Sequence, residues 1–202
     1  ISLVEILKSG DASRWSLKIE VDDQELSINF PVQDSREKTL IKITEMRKRL
    51  ENAIPLLSPQ VRVNIAMASN DATTSSDIVA FPGRLTPVGG KARPLSSPKF
   101  GSSSHLSDLL LDLRKFDSNV SIIINLRWDS IISELLKELD VSSVKLSRNG
   151  EDLFISESAT EAEALIDEGG YGFEPSLYIV GNNYDRVCRI VEDLAKSMEA
   201  MA

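Results

Sequence analysis

The sequence is poor in the residues that build metal centres and disulfides. It has one cysteine and one histidine in 202 residues, which excludes an internal disulfide and the cysteine- and histidine-rich sites that bind zinc. No apolar run reaches the ~18 residues that a membrane-spanning helix needs, and no signal-peptide pattern is visible. We therefore expect a globular protein of the cytoplasm.

Basic residues are also scarce, with 23 Lys and Arg against 31 Asp and Glu and a formal net charge of −8. An acidic surface lacks the positive field that attracts nucleic acid or an anionic membrane. We expect no membrane binding and no direct nucleic-acid binding by this segment. The apolar faces are compatible with a homodimer. The chain begins with Ile1, and this start is compatible either with processing or with a fragment of a longer protein.

Hydrophobic periodicity divides the chain into two parts. Apolar and polar residues alternate over residues 15–33, which predicts a β-hairpin with one apolar face. We therefore assign residues 1–35 to a hairpin extension and residues 36–202 to the main domain. There, the spacing predicts helices over about 36–54, 104–115, 131–139, 161–166 and 184–198. Apolar runs predict strands over 61–67, 120–126 and 176–180, and weaker ones near Val144 and Phe154. Helices alternating with strands imply a sheet covered on both faces.

A polar turn precedes the second predicted helix. It contains Gly101, Ser102, Ser103 and Ser104, and it ends at His105, the chain's single histidine. Glycine allows close approach of the backbone, and the N–H groups at a helix start favour an anion. Histidine can exchange a proton near neutral pH. The turn fits a phosphorylated ligand, and an ordinary capped loop fits it about equally well.

Several short blocks together resemble the ThiN family, the archaeal-type thiamine phosphate synthase domains. They cover roughly residues 38–198 and occur in the family's order: Val63-Asn64-Ile65-Ala66, Phe81-Pro82-Gly83-Arg84, Phe100-Gly101-Ser102-Ser103-Ser104-His105, Asn125-Leu126-Arg127 and Gly172-Phe173-Glu174-Pro175. Any one block is a weak signal, and their combination is specific.

The resemblance implies an α/β fold, a three-layer α/β/α sandwich with a mixed sheet that is similar to the class II aldolases. It implies condensation of hydroxymethylpyrimidine diphosphate with thiazole phosphate, giving thiamine phosphate and diphosphate, with Mg²⁺ accompanying the diphosphate. The family's functional arginine and histidine correspond to Arg84 and His105. We expect Arg84 to neutralise the leaving group, because a guanidinium binds phosphate in a bidentate way, and His105 to donate a hydrogen bond or a proton to it.

Further contacts to the substrates follow from the same blocks. Gly101, Ser102, Ser103 and Ser104 would hold a phosphate, and Arg127 is a second candidate cation. Asn64 and Asn125 would contact substrate or cap the backbone. The remaining candidates come from the glycine-rich block and its flank: Gly172 and Glu174 as substrate contacts and Asp167 as a magnesium ligand.

Two other functions remain open. ThiN domains also serve as ligand-sensing domains of helix-turn-helix regulators, so this chain is alternatively a non-catalytic sensor of thiamine phosphate or diphosphate. A phosphosugar aldolase-like enzyme is the third reading, and the single histidine counts against it, since those enzymes bind zinc through several histidines.

Overall fold

The computed structural model describes residues 4–8, 15–21, 24–30, 35–150 and 152–201, and for the first three ranges it gives strands and their pairing. The chain separates into two compact units, Ile1–Lys38 and Thr39–Ala202. The division into a hairpin extension, residues 1–35, and a main domain, residues 36–202, stays a prediction.

An antiparallel sheet of three strands lies in the first unit. Its strands are β1 (Val4–Lys8), β2 (Trp15–Val21) and β3 (Gln24–Phe30), in that order across the sheet. The pair β2–β3, in which Val21 faces Gln24, lies where alternation predicts a hairpin. The turn residues 22 and 23 and the apolar face of that hairpin lie outside the described residues.

The second unit alternates strands and helices along the chain. Its helices are α1 (Ser35–Arg49, which starts in the first unit), α2 (Ser104–Arg114), α3 (Ser130–Glu138) and α4 (Tyr184–Ala200). Its strands are β4 (Ile65–Ala68), β5 (Ile78–Ala80), β6 (Leu85–Val88), β7 (Lys91–Pro94), β8 (Lys99–Phe100), β9 (Ile122–Arg127), β10 (Ser143–Lys145), β11 (Ser147–Asn149), β12 (Asp152–Phe154), β13 (Ala164–Asp167) and β14 (Ser176–Gly181).

Seven of these strands form one mixed sheet in the order β10-β13-β14-β9-β4-β5-β8. Neighbours are antiparallel except β10 and β13, which are parallel. One face packs against α1, α3 and α4, and the other against α2, because alternate residues of each strand join two separate buried clusters. The predicted α/β fold, a three-layer α/β/α sandwich with a mixed sheet, is confirmed.

The prediction of a helix over 161–166 is wrong. The chain forms a short 3₁₀ helix at Glu157–Glu161 and then strand β13. Alanine, leucine and glutamate favour a helix locally, but all four residues of β13 are buried between β10 and β14. Backbone pairing on both sides satisfies the strand's N–H and C=O groups in the core, so the tertiary environment overrides local propensity.

Two predicted boundaries also move. The first helix ends at Arg49, and Ile54–Leu57 forms a separate 3₁₀ turn with Pro55 in its first positions, as a ring without an N–H permits. Strand β4 starts at Ile65, four residues later than predicted. Two of the residues before it, Val61 and Asn64, line the cavity described below.

No helix in the described ranges is long and apolar enough to cross a bilayer.

Ile124 lies in the centre of the sheet on β9, fully buried between β14 and β4. We expect Ile124→Ala to lower the free energy of unfolding by about 3 kcal/mol, because it removes buried methylenes and leaves a cavity. Ile131 on α3 is 41% exposed, so Ile131→Ala should cost less than about 1 kcal/mol. Urea unfolding followed by circular dichroism measures both, and equal losses would contradict this account of the core.

Candidate functional site

Polar side chains gather at one edge of the seven-stranded sheet, on the face covered by α2. Antiparallel pairing brings the start of β4, the end of β9, the start of β14 and the end of β13 to this edge. Asn64, Asn125, Asp167 and Ser176 occupy these ends, and all four are at most 6% exposed. Buried polar residues clustered at one sheet edge are typical of a ligand site.

A cavity of about 340 Å³ opens at this edge. Its lining combines both signs of charge with amide, hydroxyl, imidazole and aromatic groups: Val61, Asn64, Arg84, Ser103, His105, Leu106, Asn125, Arg148, Asp167, Gly172, Phe173, Glu174, Ser176 and Tyr178. The volume suits a small organic ligand.

The two buried amides fix the loops around the cavity. Asn64 Oδ1 accepts from the N–H groups of Ile65 (2.9 Å) and Phe81 (3.1 Å), and its Nδ2 donates to the Phe81 carbonyl (3.0 Å). Asn125 Oδ1 accepts from the Asn64 N–H (2.7 Å), and its Nδ2 donates to the Arg62 carbonyl (3.1 Å). Both amides therefore hold backbone, which is the capping role we considered alongside substrate contact.

Arg84 ends the tight turn that Asn64 holds. Its N–H bonds to the Phe81 carbonyl at 3.1 Å, and Gly83 and Arg84 have φ values of 73° and 68°. This left-handed region is free for glycine and costs an ordinary residue about 1 kcal/mol. Strain of this kind persists where the surroundings enforce it, commonly at functional sites.

The carbonyls of a neighbouring loop orient the Arg84 side chain. Its Nη1 donates to the Val61 carbonyl at 2.7 Å and to the Arg62 carbonyl at 3.3 Å. Its Nε and Nη2 make no hydrogen bond within the described residues. Since Arg84 lines the cavity, these remaining donors are available to an anion.

His105 lies in the first turn of α2 and faces β14. Its Nε2 is 2.8 Å from the hydroxyl of Tyr178. Partial burial, followed by the positive charges of Arg84 and Arg148, lowers the pKa of His105 below its ordinary value of 6.5. Burial and the Asp167 charge raise the pKa of Tyr178 to about 12. At neutral pH both side chains are therefore uncharged. They can donate hydrogen bonds to a ligand, but they add no positive charge to the cavity.

An ion pair also lines the cavity. Arg148, from β11, donates through Nε (3.1 Å) and Nη2 to the two oxygens of Asp167, and through Nη1 to the Gly150 carbonyl. Phe173 covers the guanidinium, with its ring centroid 4.4 Å from Cζ. The pairing with Asp167 raises the pKa of Arg148, so the guanidinium stays charged and is bound to a side chain of the protein.

Glu174 holds the loop that binds Arg84. Its Oε1 accepts from the N–H of Gln60 at 2.7 Å and its Oε2 from the N–H of Val61 at 3.0 Å. Both carboxylate oxygens thus bind backbone that is distant in sequence.

The structure brings eight of the residues selected from sequence into the cavity lining: Asn64, Arg84, Ser103, His105, Asn125, Asp167, Gly172 and Glu174. The other four, Gly101, Ser102, Ser104 and Arg127, are not among the lining residues. Gly101 has a φ of 71°, and its N–H bonds to the Ile78 carbonyl. Arg127 Nε lies 2.9 Å from Asp129 Oδ2, but without the alignment of a hydrogen bond.

Sequence reasoning missed several lining residues, above all Arg148, Phe173, Ser176 and Tyr178. Ser176 and Tyr178 lie on one face at the start of β14, and Tyr178 pairs with Asn125 of β9. The alternation along β14 places both on the same face, but only the strand pairing brings that face beside Asn125. Arg148 belongs to a separate two-stranded sheet, β11–β12. Only the tertiary fold brings it to Asp167.

The described residues do not fit a magnesium site made by the protein alone. No group of three or more His, Cys, Asp or Glu residues among them could hold a metal ion. Asp167 is paired with Arg148, and Glu174 binds two N–H groups. Asp167 as a magnesium ligand stays a prediction.

His105 offers a direct test of this electrostatic arrangement, because an untagged chain gives one histidine signal by NMR. We expect a pKa below 6.5, and a higher value in Arg84→Gln, since removing a nearby positive charge favours the imidazolium. By linkage, the folded state binds fewer protons here, so stability falls as the pH drops from 6.5 towards the lowered pKa. If the pKa of His105 is the same in Arg84→Gln as in the wild type, the positive charge of Arg84 does not act on His105.

Comparison with curated proteins finds similar sequences. Thiamine-phosphate synthase ThiN of Methanothermobacter thermautotrophicus is 24% identical over 183 residues, covering 80% of this chain and 96% of that protein. The bifunctional thiamine biosynthesis protein ThiDN of Methanocaldococcus jannaschii is 27% identical over 177 residues, and the match covers 78% of this chain and 42% of that longer protein.

A solved structure shows the same fold. The C-terminal domain of protein MJ0236 superposes with a TM-score of 0.69 at 22% identity, covering 82% of this chain and 97% of that domain. The sequence model of the family described as thiamine-phosphate synthase ThiN matches residues 42–193. The chain therefore belongs to the ThiN family, whose members support a role for it in thiamine biosynthesis.

Proposed function

We propose that the chain is a thiamine phosphate synthase that condenses hydroxymethylpyrimidine diphosphate with thiazole phosphate. The observation that carries the proposal is Arg84, held in a strained turn with two guanidinium nitrogens uncommitted among the described residues, in a cavity shared with His105. Membership of the family and the names of the relatives support the same reaction.

The reaction needs leaving-group stabilisation more than it needs a strong base. The thiazole nitrogen attacks the methylene carbon attached to the pyrimidine, the bond from that carbon to the diphosphate oxygen breaks, and diphosphate departs with the electron pair. Arg84 would bind the diphosphate through Nε and Nη2 as negative charge develops on it. Ser103, which precedes α2 and lines the cavity, lies where the helix N–H groups favour an anion.

His105 would contribute a hydrogen bond more readily than a proton. Its pKa is lowered in the free protein, so the imidazole is neutral at physiological pH and keeps one N–H. Tyr178, bonded to Nε2, would fix the orientation of the ring.

Mg²⁺ would enter with the substrate in this proposal. The ion prefers oxygen ligands and commonly binds through substrate phosphates. When bound, it would add positive charge at the diphosphate, where the protein carboxylates are already engaged.

One observation favours the alternative, a sensor that binds thiamine phosphate without turnover. The charged side chains lining the cavity, Arg84, Arg148, Asp167 and Glu174, sum to a formal charge of zero. Thiamine phosphate carries a cationic thiazolium and an anionic phosphate, so a neutral lining suits this ligand better than it suits two anionic substrates. Added Mg²⁺ would restore the balance for synthesis.

The decisive experiment is an assay of thiamine phosphate formation by the purified chain with both substrates and Mg²⁺. We expect turnover, and its loss on removal of Mg²⁺ with a chelator, because the lining supplies no excess positive charge. Tight binding of thiamine phosphate by calorimetry without turnover would contradict synthesis and support the sensor.

Arg84→Lys tests the bidentate contact. We expect kcat/KM to fall about 10- to 100-fold, because lysine keeps the charge and loses the planar fork. Arg93 is an exposed arginine outside the cavity, 3.6 Å from Glu51. Arg93→Lys, the matched control, should leave kcat/KM unchanged. If the two variants change kcat/KM equally, Arg84 makes no specific contact with the substrate.

The pH profile distinguishes the two roles of His105. If its N–H only donates a hydrogen bond, kcat/KM should be flat from about pH 7 to 8, because the neutral ring predominates throughout. A decline of kcat/KM with rising pH across that range, absent in His105→Asn, would show that a protonated imidazole is required.

A further inference from the structure

We infer that Glu174 is a positioning residue that places the guanidinium of Arg84 by way of the backbone of residues 60–62. The inference rests on the proposed function, in which Arg84 holds the diphosphate. It differs from a direct substrate contact, the role that the sequence suggested for Glu174.

The path between the two side chains consists of short hydrogen bonds. The carboxylate of Glu174 accepts the N–H groups of Gln60 and Val61 at 2.7 and 3.0 Å. The carbonyls of Val61 and Arg62 then accept from Arg84 Nη1 at 2.7 and 3.3 Å. One peptide segment thus binds an anion through its N–H groups and a cation through its C=O groups.

This segment needs an external anchor. Val61 and Arg62 are exposed, and Arg62 has a φ of 70°, a conformation that an ordinary residue seldom adopts alone. The Arg62 N–H bonds to the Pro59 carbonyl, and Asn125 holds the Arg62 carbonyl. Glu174 supplies the contacts to the remaining N–H groups at Gln60 and Val61, so it fixes the direction of the carbonyls that Arg84 meets.

The geometry also explains why a carboxylate is suited to this position. Two adjacent N–H groups require two acceptors, and ionised carboxylate oxygens accept from backbone N–H groups more strongly than neutral ones do. A glutamine side chain offers one acceptor and would direct its NH₂ donors at the second N–H. Glu174→Gln therefore removes one contact and adds a repulsion with little change in volume.

The test measures binding of inorganic pyrophosphate to the full chain by calorimetry or NMR. We expect Glu174→Gln to weaken it about tenfold, the effect of losing roughly one charge-assisted hydrogen bond. Glu168→Gln is the matched control: it makes the same change of charge in the same segment, but Glu168 pairs with Lys145. Equal affinities in the two variants would overturn the inference.

A double-mutant cycle separates positioning from direct contact. In an Arg84→Ala background, Glu174→Gln should change pyrophosphate affinity less than about twofold, because the arginine through which it acts is gone. An undiminished effect in that background would show that Glu174 acts independently of Arg84 and would overturn the inference.

The single histidine gives a second readout, taken on variants whose circular dichroism spectrum matches that of the wild type, because unfolding would itself return the pKa of His105 towards 6.5. Arg84 lowers the pKa of His105, so displacement of the guanidinium in Glu174→Gln should raise that pKa, while Glu168→Gln leaves it unchanged. If Glu174→Gln does not fold, Glu174→Asp replaces it: the charge stays and the reach shortens, so positioning requires the same direction of change, and wild-type behaviour would overturn it.

These measurements do not depend on turnover. A wild-type chain that binds pyrophosphate and forms no thiamine phosphate refutes the proposed synthase and leaves the binding cycle and the histidine titration as valid tests of Glu174.

Discussion

The hydrogen bonds of two buried amide side chains hold together the edge of the sheet where the cavity lies. Asn64 and Asn125 are 4% and 5% exposed, and a buried amide without partners would cost about 1–3 kcal/mol for each unmet group. Each meets its donors and acceptors on backbone, most of it outside the strands. The amides therefore fix the segment before β4 and the turn after β5, and that turn carries Arg84.

Arg84 depends on this arrangement twice. Asn64 binds both the N–H and the carbonyl of Phe81, where the turn leading to Arg84 begins. Asn125 binds the Arg62 carbonyl, which in turn accepts from the guanidinium. Because a left-handed arginine is unfavourable by itself, rigid support on both sides is what keeps the side chain directed at the cavity. Preorganisation of this kind lets an arginine stabilise developing charge without further rearrangement.

The charge that the cavity offers to a ligand depends on which of its charged side chains already have partners within the protein. Arg148 is paired with Asp167, and Glu174 binds backbone N–H groups. Among the described residues that line the cavity, Arg84 is therefore the cation whose remaining nitrogens are available to a ligand. Burial and that cation keep the pKa of His105 low. Phosphate recognition would thus concentrate on one arginine, the start of α2 and any metal ion carried by the ligand.

Local sequence predicted much of the fold and part of the site. The three- and four-residue spacing from Tyr184 to Met198 predicts α4 because one face must be buried. Alternation at residues 15–33 lies where β2 and β3 pair. The helix predicted at 161–166 is wrong because Ala164 and Leu165 favour a helix until β10 and β14 pair with them. Of the three serines predicted to hold a phosphate, Ser103 lines the cavity, whereas Ser102 and Ser104 are not among the lining residues.

The sequence by itself determined the elements whose apolar residues recur with a regular period, and the short motifs around Arg84 and His105 marked these two residues as candidates for a site. The tertiary structure alone decided their surroundings. Tyr178 meets His105, Arg148 meets Asp167, and Glu174 meets the loop at residues 60–62, each across a long stretch of chain. Such contacts depend on strand order and register, which hydrophobic periodicity does not encode, since it specifies only which face of each element is buried.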